Sequence, residues 1–470
     1  NNADWNHPLS HQTVFEPMDG GALFHRTLDE TSYQVRLKTD SGVIARPGEH
    51  EFEITASGPI LEIGVLFNGG ELPLSASEVL DSSRRGWGGF WNSGGCLEVA
   101  DGPTEQAAEL ERRIVLSEYL TRINCSGPLP PAETGLACNS WSGRFHLEMH
   151  WWHGVHFGLW DRPELLFRSM DFYRRLLPLA RSIAAEQGFA GARWPKSAGP
   201  AGYPVPSPIE PWLVWHLPHP IYYAELFYRR RRSPEILDYF AGIVDETAAF
   251  LADFLHQEAD GRCQLGPPLL DAAEAYRDPF EVYNPTFETA YFRWALEIAQ
   301  RWRERRRLAR HTRIDRILSR MPEPQAVNGR YTAGEFAPDP FTPNGKNYSH
   351  PAMLAICGML PGRDIDPAIM RNTLNAVLTH WDWNRESWGW DYPLAALTAI
   401  RLGEPETAID ILLMDTPANR YLLNGHNYQN AALPCYLPGN GGLLTATAML
   451  ALRPAPQGWR FRRERLSGLL

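Results

Sequence analysis

Alternation of apolar and polar residues marks the first part of the chain. Ser32–Lys38, Glu51–Ala56 and Ile60–Phe67 carry alternating or β-branched patterns between Gly, Pro and Asp turns, which predicts strands. Three or four strands cannot close a sandwich alone, so residues 1–70 read as a partial β-sandwich. Residues 71–103, rich in Gly and Ser around Trp87, Phe90 and Trp91, predict a linker.

From Thr104 the spacing becomes helical. Thr104–Ile123 repeats through Leu110, Ile114 and Leu120, with Thr104 as the expected cap. Further helices are predicted over 144–158, 163–186, 209–230, 234–257, 285–308, 313–321, 349–359, 367–380, 392–403, 405–414 and 440–452. Their connections are long and rich in Pro, Gly, Asn and Trp, as functional loops are. About a dozen helices in sequential pairs predict a mainly α fold, an (α/α)6 toroid over 104–455 whose inner helix starts line one cleft. Gly458–Arg462 reads as a strand, so 456–470 is expected to begin a second β segment.

Composition narrows the partners. With 44% hydrophobic and 21% charged residues, the 470-residue chain has ordinary globular content. Its 17 Trp cluster with Asn, His and Asp rather than in apolar runs, which suits a polar ligand with apolar faces, such as a sugar. Net charge is −10, and the only basic runs longer than a pair are Arg229–Arg232 and Arg305–Arg307, which argues against nucleic acid. No run of 18 apolar residues predicts a membrane span. The six cysteines are scattered without a CxxC pair, leaving one or two disulfides open. The chain begins Asn1-Asn2 without Met and reads as processed or partial, with a secreted or periplasmic location favoured.

Asp391, in Trp388-Gly389-Trp390-Asp391-Tyr392-Pro393, is the carboxylate that stands out. Glycosidic hydrolysis needs one protonated and one ionised carboxyl across the bond. Asp before a helix also serves as an N-cap. The two roles agree, because capping N–H groups keep a carboxylate ionised. The loop Gly266–Tyr276 offers Asp271 and Glu274 as the partner acid, with Glu281 further on.

His146, Glu148, His150, Trp151 and Trp152 form a polar and aromatic segment. His150, His153 and His156 fall at i, i+3 and i+6, but no HExxH occurs, and they read as sugar contacts or hydrogen-bonded packing rather than a metal site. Arg193, Trp194, Lys196, Asn347, His350, Trp388, Trp390 and Asn427 complete the candidate contacts, as stacking rings or hydrogen-bonding groups. No GxSxG, P-loop or Rossmann fingerprint is present, and no cofactor is expected.

Taken in order, these segments resemble the six-hairpin glycosidases, and most of all glycoside hydrolase family 95, the inverting α-L-fucosidases and α-L-galactosidases. That family's N-I-N-x-x-M-N-Y-W stretch is similar to Arg144–Trp152, with Met149 and Trp152 retained. Its P-S-x-S-P-E-N loop resembles Pro267–Glu274 with one extra residue. Its H-x-x-x-S-H segment resembles Asn344–Gly362, where Ser349-His350 and Pro361-Gly362 remain. Its Trp-rich helix start is similar to Trp388–Arg401, and its G-N-F-G-G-T-A-A to Gly439–Ala446. The resemblance covers roughly residues 104–452 and implies Glu274 as general acid and Asp391 as general base. Two asparagines that help the family's base hold its water fall at Arg144 and His146 here, a departure from the fucose-specific pattern. The expected activity is an inverting exo-glycoside hydrolase. A phosphorylase or polysaccharide lyase on the same toroid, or a sugar-binding protein without catalysis, are the alternatives.

Overall fold

The dipeptide Asp19-Gly20 turns the chain back between β1 (His11–Met18) and β2 (Gly21–Leu28), with Gly20 at φ +65°. Glycine takes that left-handed conformation without the steric cost of a Cβ. The computed structural model describes residues 7–28, 31–39, 41–68, 76–337, 339–342, 345–363 and 365–470. The chain divides into two compact units, Asn1–Gly94 and Gly95–Leu470.

In the first unit β3 (Thr31–Thr39) follows β2, and β4 (Gly42–Ala45) with β5 (Glu53–Ala56) forms a separate antiparallel pair. A last strand, β6 (Ile63–Phe67), closes an antiparallel sheet of order β1-β2-β3-β6. Rings of Phe15, Phe24 and Phe52 meet at 4.6–5.6 Å as its small core. The first two strands escape the sequence pattern: β1 is an edge strand that carries Pro17, tolerated there because an edge need not donate every N–H.

Where a linker was expected, the chain forms α1 (Ala76–Trp91) and β7 (Cys96–Asp101); residues 71–75 lie outside the described residues. Gly86, Gly88 and Gly89 mask α1 in the sequence, since glycine disfavours helices. Trp87 and Trp91 nonetheless sit one turn apart and stack at 6.2 Å. β7 pairs antiparallel with Arg460–Glu464. The tail strand is therefore real, but it joins the start of the second unit and does not open another sheet.

The second unit is mainly helical. Its helices are α2 (Thr104–Asn124), α3 (His150–Leu159), α4 (Pro163–Phe167), α5 (Met170–Glu186), α6 (His219–Arg230) and α7 (Pro234–Phe254). Then follow α8 (Thr286–Arg305), α9 (Thr312–Leu318), α10 (Ala355–Gly358), α11 (Pro367–His380), α12 (Asp391–Leu402), α13 (Pro405–Leu412) and α14 (Leu437–Ala451). Burial alternates along this series. Helices α3, α6, α8, α10, α12 and α14 are buried over most of their length, whereas α2, α5, α7, α9, α11 and α13 bury one side. The buried helices pack successively on one another, and α14 packs back on α3.

Several expected helices are shorter than their apolar spacing suggests. Over 144–158, Phe145–His146 pairs with Ser197–Ala198 instead, and the helix starts only at His150. Over 209–230, residues 209–218 form turns and α6 waits until His219, where Pro218 and Pro220 lack the N–H a continuous helix requires. Residues 349–359 give only a 3-10 turn, Ala352–Leu354, and the one-turn α10. Thr104 lies inside α2 and does not cap it; Pro103 holds the cap position, with no side-chain bond.

Buried charge ties the helices together. Glu225, fully buried on α6, accepts hydrogen bonds from Trp302 Nε1 at 2.8 Å and Arg229 at 2.9 Å, and from Arg305 on α8. Replacing Glu225 with Ala strands the buried Trp302 donor and leaves the part-exposed Arg229 and Arg305 without their acceptor, and is expected to lower unfolding stability by about 2–3 kcal/mol. Urea denaturation followed by circular dichroism measures it; a loss below about 1 kcal/mol, the scale of a surface pair, would show that the network does not hold α6 to α8.

Candidate active site

The short ladder between Phe145–His146 and Ser197–Ala198 carries Glu148 to Lys196, and Glu148 N–H donates to Lys196 O at 3.1 Å. The Glu148 carboxylate is 2% exposed. It accepts from Trp215 Nε1 at 2.7 Å, pairs with Lys196 Nζ at 2.9 Å and lies 3.2 Å from His146 Nε2. Burial pushes this carboxyl up, but Lys196, His146 and His216 bring it below the ordinary range. The Lys196 ammonium, lowered by burial and raised by Glu148, ends above its ordinary value. It also lies 4.0 Å over the Trp141 ring.

Asp391 opens α12 and is 0% exposed. One oxygen meets His350 Nδ1 at 2.8 Å, and the other accepts from the Trp388 backbone N–H at 2.7 Å. That donor lies behind Asp391, so the forward N-cap is not made. Burial raises its carboxyl, against the lowering by His350 and the Trp388 N–H. His350, lowered by burial, ends above its ordinary value through Asp391, Glu274 and Glu148. Trp390 stacks on the His350 ring at 4.1 Å and packs against Trp152 and Trp215.

Glu274 lines a cavity of about 800 Å3 together with Trp388, Trp383, Ser349, Arg277 and Arg385, among others. Glu274 and Ser349 both stand in the left-handed backbone region, at φ +53° and +65°, an arrangement non-glycine residues hold only when surroundings impose it. Burial and the nearby Glu148 raise the Glu274 carboxyl, against His350 and Lys196. Asp271 and Glu288 lie deeper, at 1% exposure each. Burial and Glu274 push Asp271 up to about 7, and burial and Asp271 push Glu288 up to about 8. Both Asp271 oxygens lack a hydrogen-bond partner among the described residues.

Of the residues singled out in the sequence, Glu274 and Trp388 reach the cavity wall. His146, Glu148, Lys196, His350 and Asp391 form a buried, electrostatically linked group beside it. Trp151, Trp152, Trp194 and Trp390 are at most 2% exposed, core rings rather than open stacking surfaces. His150 is held by Tyr173 and Ser169, His153 by Glu133 O and His156 by His153 O, which gives each a structural role. Arg193 bonds Gln187 and Pro211 O, and Asn347 bonds His380 O, both away from the cavity wall.

Asn427 is buried, donates to Ala418 O at 3.0 Å and fills space that a Cβ on Gly389 or Gly439 would need. Arg193, Asn347 and Asn427, expected as substrate contacts, thus make loop-fixing contacts and do not line this cavity. Sequence reasoning missed Arg277, Trp383, Asn384, Arg385 and Gln429 as lining residues. The signal was present in Trp381–Ser387, an aromatic and polar loop directly before Trp388. Cys138 and Cys435, which the sequence left open to disulfides, are both free thiols.

No family model and no curated protein matches the sequence. Solved structures do share its fold. A provisionally assigned kojibiose phosphorylase from the human microbiome superposes with a TM-score of 0.73 at 9% identity, over 97% of this chain and 74% of that one. A glycosidase variant in complex with glucose gives 0.54 at 14% identity, over 74% of this chain and 99% of that one. The fold is thus one found among carbohydrate-active enzymes.

The buried acids make stability depend on pH. A carboxyl raised in the fold keeps its proton there but loses it on unfolding, so its contribution is full below the unfolded value near 4 and is lost as pH rises towards 7. Asp271→Asn removes this loss. Relative to the parent, the variant is expected to gain on the order of 2 kcal/mol in urea stability between pH 5 and pH 8. A difference that stays constant over this range would mean that Asp271 is charged in the fold.

Proposed function

We propose that residues 104–455 form an (α/α)6 toroid of the six-hairpin kind, acting as an inverting exo-glycoside hydrolase on a non-reducing-end sugar. The alternation of buried and half-buried helices, with α14 returning to α3, supports the toroid. The carrying observation for function is Glu274, a cavity-lining carboxyl that burial keeps protonated above the ordinary range. Glu274 gives its proton to the leaving oxygen as general acid.

Asp391 acts on the nucleophile's side through His350. The incoming water transfers its proton to the imidazole, whose other nitrogen is held by Asp391 at 2.8 Å. The water oxygen bonds the anomeric carbon as the leaving oxygen departs with the Glu274 proton. The motif order resembling inverting α-L-fucosidases makes α-L-fucosides and α-L-galactosides the first sugars to test.

A second reading, phosphorolysis, is favoured by one observation. Asp391 shows no surface and both its oxygens are engaged, while His350 is raised towards its cationic form. A cationic ring suits an anionic nucleophile better than it suits water activation.

A panel of aryl glycosides, assayed with and without inorganic phosphate, separates these readings. Glu274→Gln is expected to lower kcat about 10²–10⁴-fold on poor leaving groups, and less on activated ones. Proton NMR should show the inverted anomer first. Unchanged turnover in Glu274→Gln removes Glu274 as the acid, and a retained anomer removes inversion. Turnover that requires phosphate selects phosphorolysis, and binding without any cleavage selects a sugar-binding protein.

A further inference from the structure

The cavity wall beside Glu274 carries two arginines, Arg277 and Arg385, that neither proposed proton transfer uses, with Glu386 as its other acid. Arg277, three residues after Glu274, is exposed and lines the cavity. Among the described residues its guanidinium has no hydrogen-bond or ion-pair partner. The nearest acid in sequence, Asp278, is turned to its own backbone and accepts from Phe280 N–H at 2.9 Å. Arg385 lines the same cavity, 4.8 Å over Tyr348, and has only a loose ion pair with Glu386 at 3.4 Å.

Lys346 adds a third cation behind this wall. Its ammonium donates to Ala275 O at 2.7 Å and lies 4.2 Å over Tyr276. The loop that carries Arg277 is held in place by these contacts and by Leu269 N–H to Pro279 O at 3.0 Å. The backbone that carries Arg277 is therefore anchored, three residues from the acid, and its side chain is free to meet a ligand.

Resting on the glycosidase reading above, we infer that the natural leaving group carries a negative charge, a carboxylate or a phosphate, which Arg277 binds with help from Arg385. The placement fixes which part of the substrate is meant. On that reading Glu274 protonates the leaving oxygen, and Arg277, three residues on and lining the same cavity, is assigned to the departing group. A guanidinium in a partly enclosed cavity forms charge-assisted hydrogen bonds to planar oxyanions, stronger than those to neutral acceptors.

The test uses 4-carboxyphenyl, 4-phosphonophenyl and 4-carbamoylphenyl glycosides of whichever sugar the panel identifies, at one fixed phosphate concentration. At least one anionic substrate is expected to exceed the neutral amide about tenfold in kcat/KM, and the larger of the two ratios distinguishes carboxylate from phosphate. In Arg277→Gln the ratio should fall below about threefold, the residue of a lost charge-assisted contact. The remote surface variant Arg174→Gln should keep the full ratio. Equal kcat/KM on all three substrates overturns the charged leaving group and leaves the glycosidase reading standing. A ratio that persists in Arg277→Gln, with an unchanged melting temperature, overturns the role of Arg277. Cleavage of no glycoside in the panel overturns both readings together.

Discussion

Glu148, Asp391, Asp271, Glu288 and Glu274 are all buried or nearly so, Glu274 alone of them lining the cavity, and a lone carboxylate in such surroundings is unstable by many kcal/mol. The site meets this constraint in two ways. Glu148 keeps its charge because Lys196, Trp215 and His146 surround it. Asp271 and Glu288 keep their protons instead, having no cation in contact. Glu274 lies between these extremes, raised by its neighbours yet open to the cavity. A proton held on an accessible carboxyl is the property a general acid needs. It arises here from the same burial that governs the carboxyls around it.

The counter-charges come from distant parts of the chain, so satisfying them also shapes the loops. Lys196 and Glu148 are brought together by a two-residue ladder that interrupts an otherwise apolar helical pattern. His350 reaches Asp391 from a segment with a left-handed residue directly before it. Trp390 seals that pair by stacking on the imidazole, and Asn427 wedges between Gly389 and Gly439 to fix the approach of α12 and α14. Trp390 thus excludes water from the ion pair. In that role it strengthens the electrostatics of the site without touching a ligand, because charges interact more strongly where solvent is absent.

The helical half of the chain was legible because apolar spacing is set by burial on one side of a helix, and α7, α8, α11 and α12 fall close to their expected spans. What spacing cannot report is a competing partner. Phe145–His146 looks helical until Ser197–Ala198, fifty residues away, takes its backbone bonds. Glycines hid α1 for the opposite reason, since a helix of low propensity is held by ring contacts that no local pattern displays. Within the candidate site, residue type located the polar loops but not their facing. Trp151, Trp152 and Trp194 share the composition of a sugar platform and lie in the core, whereas Trp383 and Arg385 form the wall.

Asp391 shows the same limit in its sharpest form. A carboxylate at a helix start suggests a forward cap, but the N–H it accepts belongs to Trp388, behind it, and its second oxygen is taken by His350. A carboxylate has about four acceptor positions, so two remain unused, yet the group has no exposed surface through which a nucleophile could find them. The His350 imidazole, itself buried, covers one of the two carboxylate oxygens. On the proposed reading, the protonation of His350 sets which nucleophile is used. A neutral ring backed by Asp391 draws a proton from water, and a cationic one attracts an anion. The balance between them is fixed by three carboxyls, Asp391, Glu274 and Glu148, that raise the ring against its burial. Glu274 is one of these three, so on the proposed reading the acid and the nucleophile's side are electrostatically linked.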